Sequence, residues 1–247
     1  MTKHQQVPDA DVATVEHGNP PSARFPLDRD RIIAAAIEFI DQEGLPGLTM
    51  RRLGQRLNVE AMSLYRYVPG KEALLDAVVE SLVMSMAADG EVLSAPRDGW
   101  QDFLQRLAHG VRRVALAHPK IFPLVASRPP EAPWLRPPLR SIDWVESFLS
   151  GLVSEGFTDD SAVAGYRAFS SFLLGHLLLE VATHGADVGP LDVIDDGSTE
   201  HADLSRAPTV KRLRASLSED HAAVEFEEAL ENLLDRMALL RSEGEPA

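Results

Sequence analysis

The sequence predicts an all-α protein with a small N-terminal helical unit and a larger helical body. Apolar residues recur at helical spacing through most of the chain, and no segment alternates as a half-buried strand would. Residue types that start and stop helices stand at the ends of these periodic segments. With 247 residues, 45% of them hydrophobic, the chain is long enough to bury a substantial core.

Four helices are predicted in the first third of the chain, over approximately 28–43, 49–57, 60–67 and 71–82. Thr49 is a residue type that caps a helix N-terminus, and Asn58 tolerates the left-handed conformation that ends a helix. The first domain is predicted to span residues 25–71, after a disordered N-terminal arm at 1–24 that shows no periodicity.

The remainder, residues 72–247, is predicted to be a second domain, with helices over approximately 100–117, 139–155, 158–183 and 218–240. Thr158 and Ser218 are the expected N-caps of the last two helices. Seven prolines between residues 119 and 138 prevent that segment from forming one continuous helix. Residues 184–208 are rich in Gly, Pro and Asp and are predicted to form a long loop.

Composition excludes several classes of protein. The chain contains no cysteine, which rules out a disulfide scaffold, a thiolate zinc site and a cysteine nucleophile. Its most apolar segment, 163–183, is interrupted by Arg167, His176 and Glu180, so a membrane span is not expected. The first 24 residues lack the apolar core of a signal peptide. These absences together favour a cytoplasmic protein.

Residues 49–71 have the pattern of a helix-turn-helix, in which a tight turn joins two short helices and the second enters the DNA major groove. Four apolar residues are placed to pack the two helices together: Leu53, Leu57, Val59 and Leu64. Gly54 lies in the middle of the first helix, at a cost of about 1 kcal/mol relative to alanine. A close approach of the two helices at this glycine would explain that cost.

Three cations in this segment oppose a helix dipole. Arg51 and Arg52 fall in the first turn of the helix capped by Thr49, and Lys71 falls in the first turn of the next long helix. Each placement costs roughly 0.3–1 kcal/mol unless an anion binds there. DNA phosphates would supply that anion, because N-terminal amides and a basic side chain form an anion site. The alternative is that these charges are simply solvated.

The charge distribution favours the same interpretation. The net charge of −14 by itself argues against nucleic acid. Residues 24–71, however, carry eight basic and six acidic side chains, so a slightly basic unit is joined to a strongly acidic body. Ordinary scatter of charge is the alternative explanation.

The second helix of the motif supplies the expected base contacts. Arg66 can pair with a guanine edge, and Ala61 or Met62 can contact a thymine methyl group. The hydroxyl groups of Tyr65 and Tyr67 can reach phosphates, although core packing is the alternative role for either ring. The full set of expected DNA-binding residues is Thr49, Arg51, Arg52, Ala61, Met62, Ser63, Tyr65, Arg66, Tyr67 and Lys71.

Residues 28–82 resemble the DNA-binding domain of the tetracycline-repressor (TetR) family of transcription regulators, through the segment LTMRRLGQRLNVEAMSLYRYVPGKEALLDAV at 48–78. The body is similar to the ligand-binding and dimerisation domain of the tetracycline-repressor branch. That similarity is carried by Trp100-Gln101-Asp102-Phe103-Leu104, His118-Pro119, Ser127-Arg128-Pro129 and Gly156-Phe157. The resemblance implies an all-α homodimer with a three-helix DNA-binding head on each subunit. It also implies a repressor that a small molecule releases from its operator.

Two symmetric heads require two half-sites, so the double-stranded DNA operator is expected to be palindromic. The helices beginning at Thr158 and Ser218 are the expected dimer interface, although both apolar faces could instead be buried within one subunit. A transcriptional activator or dual regulator of the same fold remains an alternative. An enzyme is not expected, because no phosphate-binding loop, GxSxG or HExxH motif occurs.

A small-molecule effector, expected to be largely apolar, is predicted to bind in the body near the proline-rich segment 119–138. The expected contact residues are Trp134, Trp144, Phe169, Phe172, His118 and His176, and each of them could instead be a core or solvated residue. By resemblance, His118 is similar in position to a histidine that helps the tetracycline-repressor branch bind a magnesium–drug chelate. No metal and no cofactor are expected here.

Overall fold

The computed structural model describes residues 26–88, 92, 96–187 and 204–242. Its helices are α1 (Arg29–Glu43), α2 (Met50–Leu57), α3 (Ala61–Leu64), α4 (Lys71–Ala88), α5 (Trp100–Ala117), α6 (Phe122–Ser127), α7 (Ile142–Ser154), α8 (Asp159–Thr183), α9 (Pro208–Leu217) and α10 (Ala222–Ser242). Within the described ranges there is no strand, so the all-α prediction is confirmed. The predicted arm at 1–24 and most of the predicted loop, 188–203, lie outside the described residues.

The sequence-predicted ends of the early helices are confirmed by their caps. The Thr49 hydroxyl accepts a hydrogen bond from the backbone N–H of Arg52 at 3.2 Å, and Asp28 caps α1 in the same way. Asn58 adopts the left-handed conformation, with φ of 54°, at the end of α2. Thr158 caps α8 as predicted.

The prediction that Ser218 begins the last helix is wrong. Ser218 follows the end of α9, a helix absent from the sequence prediction, and its hydroxyl donates to the carbonyl of Arg214 at 2.8 Å. The last helix begins at Ala222, whose N–H donates to the Asp220 side chain. No residue of α9 is buried, so it has no core-facing apolar face of the kind that the other helices show.

Helix α8 lies at the centre of the body. It packs against α5, α7 and α10. This 25-residue helix is long and apolar enough to cross a membrane by length and composition alone. Phe169, Leu173 and Leu177 are fully buried, as expected of a core helix. In the head, α1 packs against both α2 and α4. Helix α4 therefore packs with the head beyond residue 71, and the domain boundary predicted there stays a prediction.

Candidate DNA-binding surface and effector cleft

The helix-turn-helix is held together at Gly54. A Cβ atom at this position would lie 2.9 Å from the carbonyl oxygen of Val59 and 3.2 Å from the backbone nitrogen of Ala61. Leu53 and Leu64, one from each helix, are fully buried. The close approach inferred from the mid-helix glycine is therefore real, and it fixes the direction in which α3 presents its side chains.

The exposed side of α3 and of the turn after it carries the residues expected to contact DNA. Met62 is 75% exposed, Tyr65 44% and Tyr67 42%, so neither tyrosine is a core residue. Arg66 is exposed beside them. The α-helix itself ends at Leu64, three residues before the predicted end, and the tyrosines lie in the turn that follows. An exposed methionine between polar groups suits contact with a thymine methyl group.

The three dipole-opposing cations have different environments. Arg51 is exposed and Lys71 is half-buried at the start of α4. Arg52 instead forms an ion pair with Glu43 and donates to the carbonyl of Gly47 at 2.9 Å. Its guanidinium also lies 4.9 Å from the centre of the Phe39 ring. The C-terminus of α1 thus satisfies Arg52 locally, so its dipole-opposing position needs no phosphate to explain it.

A cleft of about 630 Å³ lies between α4, the proline-rich segment and the start of α7. We call it the α4–α7 cleft, and its lining residues are Asp76, Glu80, Val83, Met84, Pro129, Pro130, Glu131, Arg140, Ser141, Asp143 and Trp144. It thus contains Trp144 and borders the segment where an effector was expected. Its lining combines apolar side chains with four carboxylates, Asp76, Glu80, Glu131 and Asp143. Burial lowers the pKa of the Arg140 guanidinium at the same cleft.

The other expected effector contacts lie elsewhere. Trp134 is 67% exposed and does not line the cleft, and Phe169 is buried with its ring centre 5.3 Å from that of Phe148. Phe172 packs against the Phe226 ring at 5.5 Å. Residue type favoured burial for all three rings, which is wrong for Trp134, and it did not indicate which neighbour Phe169 or Phe172 would contact.

The expected histidine contacts are also engaged away from the cleft. His118 Nδ1 lies 2.8 Å from an oxygen of Asp41 on α1, and His176 Nε2 lies 3.2 Å from the carbonyl oxygen of Ala222. Glu180 is buried and accepts from Arg112, a bond that raises the pKa of Arg112. The described part of the chain contains no group of three histidine or carboxylate side chains placed to hold a metal.

Contacts between body and head were missed at the level of sequence. Arg128, just after α6, donates to the Glu72 carboxylate at 2.6 Å, to the Glu72 carbonyl at 2.7 Å and to Asp76 at 2.8 Å. Although burial by itself lowers the pKa of Arg128, these bonds outweigh it and the pKa is raised. Lys120 donates to the carbonyl of Gln42 on α1 at 3.1 Å. The Ser127-Arg128-Pro129 and His118-Pro119 matches were the sequence signals that fell in this region.

Two family models match the chain. One, described as bacterial regulatory proteins of the tetR family, matches residues 32–78 and therefore the head. The other, described as the tetracyclin repressor-like C-terminal domain, matches residues 94–239, more than half of the chain. The chain belongs to the TetR family.

Relatives within the TetR family match over nearly the whole chain. The class A tetracycline repressor of transposon 1721 from Escherichia coli is 31% identical over 220 residues, which cover 87% of this chain and 92% of the repressor. A possible TetR family transcriptional regulator from Streptomyces coelicolor A3(2) has a TM-score of 0.68 at 29% identity, covering 86% of this chain and 100% of that one. ActR from Streptomyces coelicolor, solved with actinorhodin, has a TM-score of 0.64 at 27% identity, covering 90% and 100%.

TetR-family membership assigns a function to each of the two parts of the chain. The chain is a ligand-responsive, DNA-binding transcriptional regulator, with the helix-turn-helix in the head and a larger regulatory domain behind it. The relatives named above are described as repressors or transcriptional regulators. The roles of individual side chains at the α3 surface and the cleft stay predictions.

Proposed function

We propose that this TetR-family chain is a cytoplasmic repressor that binds a palindromic operator as a homodimer and leaves it when a small molecule occupies the α4–α7 cleft. The observation that carries the proposal is the exposed α3 surface: Met62 and Arg66 are exposed and lie, along the chain, between the cations Arg51 and Lys71. Base-reading side chains flanked by helix N-termini with basic residues are the elements that dock a helix-turn-helix in the major groove.

The homodimer is supported by apolar side chains that the single chain leaves exposed on α8 and α10. Leu179 is 74% exposed, Val224 57% and Leu239 54%. Leu230 and Leu234, in contrast, are buried within one subunit, so changing them would damage the core before it tested an interface. Isologous pairing of α8 and α10 would cover the exposed residues and place two heads on one side of the dimer.

The effector site is supported by the size and mixed lining of the cleft. A volume of about 630 Å³ suits a small organic molecule. Trp144, Val83 and Met84 supply apolar contacts, while the carboxylates favour a ligand with hydrogen-bond donors. Because structural neighbours have been solved with actinorhodin and with minocycline, these two compounds are suitable first probes.

The DNA-binding part is tested by selecting enriched sequences from random duplexes with the wild-type protein, followed by binding titrations at several salt concentrations. We expect an enriched palindrome with two half-sites about one helical turn or a small multiple apart. A duplex pool that stays random would contradict operator recognition. Deleting the gene should raise expression from a reporter that carries the palindrome, whereas a fall in expression would identify an activator.

The dimer is tested with Leu239→Glu, which puts a charge on the exposed side of α10. We expect sedimentation to show monomers and the full palindrome to be bound weakly, because two linked heads raise affinity through effective concentration. Val153→Glu is the matched control, since Val153 is also exposed, at 44%, but lies on α7. A Leu239→Glu protein that remains dimeric with unchanged operator affinity would remove α10 from the interface.

A further inference from the structure

Arg128 joins the body to the head through one side chain. Its guanidinium reaches Glu72 and Asp76, one turn apart at the start of α4, and also the Glu72 carbonyl. The Arg128 side chain is 15% exposed, whereas the two carboxylates are largely exposed. Exposed ion pairs contribute little on their own, but a planar guanidinium with three acceptors fixes the orientation of the helix that it holds.

Asp76 belongs to two sites at once. It accepts from Arg128, and it also lines the α4–α7 cleft. Five residues before it, Lys71, one of the predicted DNA contacts, begins α4. A helix is stiff over such a distance, so a displacement at Asp76 moves Lys71 with it.

The body contacts the head at a second place, on α1. His118 pairs with Asp41, and Lys120 donates to the carbonyl of Gln42. These contacts come from the α5–α6 turn and do not involve the cleft residues. The head therefore has two attachments to the body, one at α4 through Arg128 and one at α1.

We propose that Arg128 is a positioning residue that holds α4 in the DNA-binding arrangement through Glu72 and Asp76, so that operator affinity depends on a carboxylate in the effector cleft. This inference rests on the proposed function. A ligand group that donates a hydrogen bond to Asp76 competes with Arg128 for the same oxygen, so the matching effector carries a hydrogen-bond donor, such as an amine or a hydroxyl, at that end. Asp76→Asn then reproduces the effect of the ligand on DNA binding.

The sign of the effect separates this role from simple electrostatics. Asp76→Asn removes a negative charge near the DNA surface, which by itself strengthens attraction to DNA. Loss of the Arg128 contact instead weakens operator binding, by about tenfold, a typical size for coupling between sites. Asp76 is 60% exposed on a helix, so the amide variant is expected to fold.

The experiment measures operator affinity of Asp76→Asn, Arg128→Gln and the double variant, with thermal unfolding and sedimentation as checks on folding and assembly. We expect each single variant to bind about tenfold more weakly, and the double variant no more weakly than Arg128→Gln alone, because both changes break one contact. The salt dependence of binding should match that of the wild type, since neither residue contacts phosphate.

Asp102→Asn is the matched control. Asp102 is also a helix carboxylate paired with an arginine, Arg106 at 2.8 Å, but both residues lie on α5 within the body and neither lines the cleft. We expect its operator affinity to equal or exceed that of the wild type. Unchanged or tighter binding by Asp76→Asn, or fully additive losses in the double variant, would overturn the proposal. If the wild-type protein selects no operator at all, the proposed function fails first, so the two failures are distinguishable.

Discussion

The head and the body are built from the same amphipathic helices, yet they position their functional residues in different ways. In the head, the cap at Thr49, the close approach at Gly54 and the left-handed Asn58 all lie within ten residues of one another. The α4–α7 cleft instead joins residues as far apart along the chain as Asp76 and Asp143. A site made by one local motif is specified by local residue types, whereas the cleft depends on how distant helices pack.

Their arginines differ in the same way. Arg51 and Arg66 of the head are exposed side chains on the proposed DNA surface. Arg112, Arg128 and Arg140 of the body are mostly buried and bonded to protein oxygens. The bond to Glu180 raises the pKa of Arg112, while burial lowers the pKa of Arg140. The proposed DNA surface of the head therefore leaves Arg51 and Arg66 available for a partner, whereas these three arginines of the body hold protein oxygens, Arg128 across to α4.

The largest expected effect is a difference in stability between variants of Phe169 and Trp134, two aromatic residues that the sequence analysis assigned to the same effector site. Phe169→Ala should lower the free energy of unfolding by about 3–5 kcal/mol, because it leaves a cavity beside Phe148 in the core. Trp134→Ala should change it by less than about 0.5 kcal/mol, because Trp134 is mostly exposed. Chemical denaturation of both variants measures the difference. Equal losses would mean that Trp134 is covered in the working assembly, for example by the partner subunit or by the effector.

The next largest effect is on the stability of the head alone. Gly54→Ala should destabilise the helix-turn-helix by about 1–3 kcal/mol through overpacking, because its Cβ would press on the backbone of Val59 and Ala61. Operator affinity should fall with it, since α3 must shift away from α2. Gly70→Ala is the control, as a Cβ there meets nothing within 4 Å. If Gly54→Ala instead stabilises the protein through its better helix propensity, the two helices are free to separate and the close approach is not a constraint.

Sequence alone predicted the head almost completely, because its signals are short-range. Caps, a breaker and a mid-helix glycine each acted within a few residues, so α1 and α2 began where the sequence placed them. Ser218 shows where local signals are insufficient. A serine can stand at either end of a helix, and Ser218 follows the end of α9, an exposed helix that the sequence analysis did not predict. The hydrogen bonds of Arg128 join residues more than 50 positions apart in the sequence, and a pattern of local residue types cannot predict such a pair.

The smallest expected effect is a difference in the salt dependence of operator binding between variants of Arg51 and Arg52, two adjacent arginines that were both predicted to contact phosphate. Arg51→Ala should weaken operator binding and reduce the slope of log affinity against log salt by about 0.9, the value for one phosphate contact. Arg52→Ala should leave that slope unchanged and cost at most about 1 kcal/mol of stability, because its partners are Glu43 and the Gly47 carbonyl on the protein surface. Titrations at several ionic strengths measure both slopes. An equal reduction in the two variants would show that Arg52 leaves Glu43 for a phosphate when DNA binds.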